Sequence, residues 1–149
     1  MQIKLKTAAN ESSRNYEKLG VVLSLLARIY PDQQVNMAYI NQVVFPAIEH
    51  NQLAIFCNYD EMPIAFVIWY RLTPETLARV AKYPYHPLHI SEWNEGDQLW
   101  LHNLYACSGA LAATVKYIKY QLFIGEPHIY FMHKNQKRCI TLYDKENQL

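Results

Sequence analysis

The twenty residues LAIFCNYDEMPIAFVIWYRL, Leu53 to Leu72, constrain the fold more than any other stretch of the chain. Two apolar runs rich in Ile, Val, Phe, Tyr and Trp flank a polar Asp60-Glu61 turn, the pattern of an antiparallel hairpin. Helical spacing surrounds it. Leu19, Val22, Leu23, Leu26 and Ile29 recur on one face between Tyr16 and Tyr30, and Pro31 ends that helix. Met37, Ile40, Val44 and Ile48 mark a second helix, which Pro46 should kink or restart. PETLARVAKY reads as a short helix with Pro74 in its first turn.

Further along, YPYHPLHI is a Pro-rich loop and QLWLHNLYAC a strand. ALAATVKYIKYQLF is a helix stopped by Gly125, and HIYFMHK and RCITLYDK are two closing strands. Residues 1–15, rich in Asn, Ser and Lys, read as a flexible arm. The order α-α-β-β-α-β-α-β-β, without repeat or linker, describes one α+β domain over residues 1–149, with helices packed on a sheet.

Composition narrows the function. The 149 residues carry a formal net charge of +1, which gives no electrostatic case for nucleic acid or an anionic membrane. No run approaches the roughly 18 apolar residues of a membrane span, and the polar N-terminus lacks a signal-peptide core. Three cysteines without a CxxC pair suit a reduced, cytoplasmic protein and no zinc site. The 12 tyrosines offer amphipathic surface suited to partners.

No nucleotide-binding loop, GxSxG or HExxH occurs. His86 and His89 are spaced i, i+3, but Pro87 between them argues against a helical metal site. His50 follows FPAIE, where it caps or decorates a helix end. In strand alternation Trp100 and His102 share one face, and Leu99, Leu101 and Asn103 the other. One of His102 and Asn103 therefore lies among core residues and needs a polar partner. Ser108-Gly109-Ala110 opens a helix after a strand. It could cradle a phosphate or pantetheine arm on free N–H groups, although Ser108 as a simple cap is the favoured local reading.

Several stretches taken together resemble the toxin-activating lysine acyltransferases, the hemolysin-activating family encoded beside RTX toxins. They are Leu19-Gly20, FPAIEHNQ at Phe45 to Gln52, MPIAFVIW at Met62 to Trp69, LTPE at Leu72 to Glu75, and EWNEGDQLW at Glu92 to Trp100. The resemblance runs from about Leu19 to Tyr143. It implies a Gcn5-related N-acyltransferase-like fold, a mixed central sheet flanked by helices. It also implies transfer of an acyl group from acyl carrier protein to a protein, with no bound metal or cofactor.

The resemblance assigns the family's catalytic His to the position of Asp32 and its catalytic Asp to that of Asn103. The Pro-Phe-Gly that usually follows is here replaced by ACSGA. Asp32 and Asn103 form an exchanged pair, and His102 is the nearest imidazole, so these three are the candidate catalytic residues. Trp93, Gly96, Asp97, Trp100, Ser108 and Gly109 are the candidate substrate and donor contacts. A retained pocket with altered chemistry is expected.

The expected role is maturation of a peptide or protein toxin, with an acyl group or an activated siderophore attached to a microcin precursor. Such a protein would work with a larger partner subunit or as a homodimer. The alternatives are a catalytically inactive scaffold and a lysine acyltransferase with a relocated base.

Overall fold

A computed structural model describes residues 3–5 and 11–141. The elements are strand β1 (Lys4–Leu5), helix α1 (Glu11–Ile29), helix α2 (Met37–Tyr39), a π turn (Ile40–Val44) and helix α3 (Phe45–Glu49). Strands β2 (Leu53–Cys57) and β3 (Pro63–Leu72), helix α4 (Pro74–Lys82) and a 3-10 turn (Ile90–Glu92) follow. The chain then forms strand β4 (Gln98–Ala106), helix α5 (Leu111–Tyr117), a second π turn (Ile118–Leu122) and strands β5 (His128–His133) and β6 (Gln136–Thr141). Six strands make one sheet in the order β1-β2-β3-β4-β5-β6, antiparallel throughout except for the parallel pair β4–β5 that α5 connects.

The arm expected over residues 1–15 is corrected in two places. Lys4–Leu5 pairs with β2, and α1 begins at Glu11. Residues 1, 2 and 6–10 lie outside the described residues, as do 142–149, onto which the last strand was expected to continue. The helix restarts at Pro46 as expected, with the proline in the first turn of α3. Lacking an N–H, it cannot close the usual bond to Gln42, and the turn before it widens so that Phe45 N–H donates to the Ile40 carbonyl. Met37, expected on the buried face, is 63% exposed in the first turn, while Ile40, Val44 and Ile48 are buried as that spacing requires.

The expected hairpin forms. The Asn58 side chain accepts N–H bonds from Asp60 and Met62, which shapes the turn, and Glu61 takes a left-handed φ of 61°. β2 is buried at every position because both faces of the sheet are covered. On one face, Ile55, Phe66, Ile68 and Tyr70 pack with α1, the π turn, α3 and α4; on the other, Phe56 and Val67 pack with Ile118 and Phe123 after β4.

Family-like residues of FPAIEHNQ, MPIAFVIW and EWNEGDQLW turn out to meet in one cluster. Gln52, 4% exposed, donates from Nε2 to the carbonyls of Trp69 at 2.8 Å and Trp93 at 3.0 Å. Trp93 is fully buried between the stacked ring of His50 (5.6 Å, 16°) and the edge-on ring of Tyr70 (4.5 Å, 78°). His50 ends α3, with its Nδ1 2.8 Å from the Pro46 carbonyl. Glu95 and Gly96 N–H groups both donate to the Arg71 carbonyl, which lays the turn on the end of β3. A Cβ on Gly96 would stand 2.1 Å from the Leu72 carbonyl oxygen, so only glycine fits. Gly96→Ala is therefore expected to destabilise the protein by about 2–4 kcal/mol in urea unfolding, through backbone displacement at the β3 end. Unchanged stability would mean that this close approach is not present in solution.

Candidate active site

β4 does not alternate regularly. Ile68 faces Asn103 and Trp69 faces Leu101, which leaves His102 as an extra, unpaired residue. This is a β-bulge, and it resets the pleat. Trp100 and Tyr105 contribute to the α1–α4 face, whereas Leu99, Leu104 and Ala106 belong to the other. Asn103 reaches across to Tyr39 of α2, whose hydroxyl donates to Asn103 Oδ1 at 2.9 Å. The expectation that Asn103 and His102 point to opposite faces is thus overturned. His102 stacks on Tyr70 of β3 (4.7 Å, 24°), and both residues line the same cavity of about 480 Å³.

β4 and β5 part at the same place. Their parallel pairing comprises Trp100 with Tyr130 and Leu101 with Phe131, the last pair before the bulge. Beyond it a gap opens in the sheet. On the far side lies a second cavity of about 320 Å³, lined largely by Leu104, Val115, Ile118, Ile129, Phe131 and Ile140. Leu101, His102 and Met132 line both cavities, so these residues form the threshold between a polar cleft and an apolar one.

The polar cleft is uncharged. Its walls come from the α2 region, β3, the loop after α4, β4 and the β5–β6 turn, and no Asp, Glu, Lys or Arg lines it. Burial pushes the His102 imidazole down to about 4, so the ring is neutral at pH 7. Burial likewise raises the phenols of Tyr39, Tyr70 and Tyr105 above their ordinary value. Tyr30 closes the Tyr105 side edge-on at 5.9 Å. An imidazole that holds a proton only below about pH 4 is a poor match for a lysine ammonium of pKa about 10.4. What the cleft offers is neutral hydrogen bonding within aromatic walls.

Of the residues singled out in the sequence, His102, Asn103 and Trp100 come together here. Asp32 does not: it is exposed in the turn after α1, outside the cleft lining. Trp93 and Gly96 shape the floor behind Tyr70 without lining the cleft, and the exposed Asp97 accepts from its neighbour Gln98. Ser108 is exposed and makes no cap, which corrects the cap reading. Gly109 turns with φ 82°, and Ala110 becomes the N-cap residue, without a side-chain hydrogen bond. Neither Ser108 nor Gly109 lines either cavity. Tyr39, Tyr70 and Tyr105 line the cleft and were missed, and His86, weighed in the sequence only as a metal ligand, lines it too. Only the abundance of tyrosine hinted at the phenols, since Tyr39 and Asn103 are 64 residues apart.

A mixed sheet whose parallel strands part beside a cleft is the frame of a Gcn5-related N-acyltransferase fold. An acetyltransferase of that family from Listeria monocytogenes superposes with a TM-score of 0.51 at 12% identity, over 87% of this chain and 75% of that one. The family model described as RTX toxin acyltransferase matches residues 11–144, and the chain belongs to that family. Over 105 residues it is 30% identical to the RTX-II toxin-activating lysine-acyltransferase ApxIIC of Actinobacillus pleuropneumoniae. The match takes in 70% of this chain and 64% of that relative's length.

The buried imidazole has a measurable consequence. The folded state holds the His102 proton less tightly than the unfolded state, so its contribution is intact above about pH 6.5 and is lost as pH falls toward 4. The loss amounts to about 3 kcal/mol at 1.36 kcal/mol per pH unit. His102→Phe, which keeps a ring on Tyr70, is expected to flatten the pH dependence of stability between pH 6.5 and 4. An unchanged profile would place the proton uptake elsewhere.

Proposed function

We propose that this chain acts in the maturation of a peptide or protein toxin, handling an acyl or siderophore group without the lysine-deprotonating pair of its relatives. The observation that carries this reading is a cleft lined by no Asp, Glu, Lys or Arg that shares Leu101, His102 and Met132 with a second, apolar cavity. An apolar chamber suits an acyl chain delivered by acyl carrier protein or a comparable activated donor. A neutral, hydrogen-bonding chamber suits an uncharged acceptor, such as the end of a microcin precursor, better than an ammonium. Tyr83 and Tyr85, 55% and 91% exposed beside the cleft, supply amphipathic surface for the precursor or a larger partner subunit in the cytoplasm.

A second reading, a scaffold that binds the same partner without chemistry, is favoured by the neutral His102 and by the absence of a charged acid–base pair from the cleft lining. Co-expression with the toxin or microcin precursor and a partner subunit separates the two, with the intact mass of the precursor as readout. The maturation reading expects a mass increase that depends on this chain and falls at least tenfold with Asn103→Leu. Modification that persists at the wild-type level in this variant and in His102→Phe favours the scaffold. An unchanged precursor mass with every component present overturns the maturation reading.

A further inference from the structure

Asn103 is anchored through its oxygen. Oδ1 accepts the Tyr39 hydroxyl at 2.9 Å. With Oδ1 committed, the plane of the amide is set, and its two N–H donors on Nδ2 remain for a ligand. No acceptor for them occurs among the described residues. The amide follows directly on His102, which lines both the cleft and the apolar cavity. A thioester carbonyl that enters the cleft beside His102 therefore meets Asn103, which lines it.

The surroundings strengthen such a donor. No charged side chain lines the cleft to compete for it, and a pre-oriented donor in aromatic, poorly hydrated walls acts most strongly on a carbonyl oxygen that gains negative charge. We infer that Asn103 Nδ2 is the hydrogen-bond donor to the carbonyl of an acyl thioester, and that Tyr39 is its positioning residue. This rests on the acyl-handling reading above. A residue standing where an acid would orient a base thus takes the opposite role, polarising the electrophile. Tyr39 acts only through Asn103, by fixing which end of the amide faces the ligand.

The test is infrared difference spectroscopy of an acyl-pantetheine thioester, 13C-labelled at the carbonyl, bound to the whole protein. Wild type should move the carbonyl band to lower frequency. Asn103→Asp, measured at a pH where the carboxyl is ionised, keeps the shape and the bond from Tyr39 but has no donor. It should abolish the shift and weaken binding by about tenfold, the worth of one such bond. Asn103→Leu should do the same, with circular dichroism reporting that both variants are folded. Tyr39→Phe should broaden or split the band, because the freed amide can turn either end to the ligand; loss of packing alone would leave one sharp band.

Wild-type protein that fails to bind the thioester, or binds it with an unmoved band, overturns the assignment. So does a shift that survives in Asn103→Asp. The assay needs no acceptor, so the two proposals fail separately. A modified precursor with an unmoved band refutes only the donor role, and a moved band with an unmodified precursor refutes only the maturation reading.

Discussion

The extra residue in β4 is the feature on which the rest of the site depends. A strand that alternated without interruption could remain paired to β5 and would send Asn103 to the face of Leu99 and Leu101. Because His102 is unpaired, β4 keeps its bonds to β3 and leaves β5 at Leu101–Phe131. One local irregularity thereby sits where the β4–β5 pairing ends, beside two cavities that share lining residues, and turns His102 and Asn103 toward the same space. The Gln52 and Trp93 cluster supports it from behind. It fixes the 3-10 turn and the end of β3, and so the position of Tyr70, on which His102 stacks.

The electrostatics follow from burial and not from ion pairs. Two charged pairs lie away from the cleft lining: Arg71 with Glu126, and Arg79 with Glu92. Inside the cleft, burial lowers the imidazole and raises three phenols, so each group is held in its neutral form. Nor are the tyrosines arranged to hold a cation on their faces. Tyr70 is covered by His102, and Tyr105 is tilted against Phe66 at 5.1 Å. The cleft of this member of the toxin acyltransferase family is therefore lined without a charged acid–base pair. The frame is shared, and the groups inside it are those of a neutral binding chamber.

The fold was largely legible because it is written in periodicities. The apolar runs of β2 and β3, the helical stripes and the proline at the head of α4 each act locally, and the resemblance to a Gcn5-related fold added the mixed sheet. What alternation could not reveal was the bulge, since an inserted residue is invisible until its partner strand is known. Ser108 misled for a related reason: the positive φ of Gly109 moves the helix start past it. Trp93 and Gly96 were legible as significant residues, but their work is to hold the end of β3 and not to touch a ligand in the cleft. Tyr39 could not be found from sequence, because its role exists only where α2 meets the reset face of β4.

The central claim, that one bulge turns His102 and Asn103 into a common cleft, is tested most directly by nuclear Overhauser contacts in protein labelled at His, Asn, Tyr and Leu. The account predicts contacts from the His102 ring to Tyr70 together with contacts from the Asn103 side-chain amide to Tyr39. Contacts from the Asn103 amide to Leu99 and Leu101 in their place would restore plain alternation and contradict it.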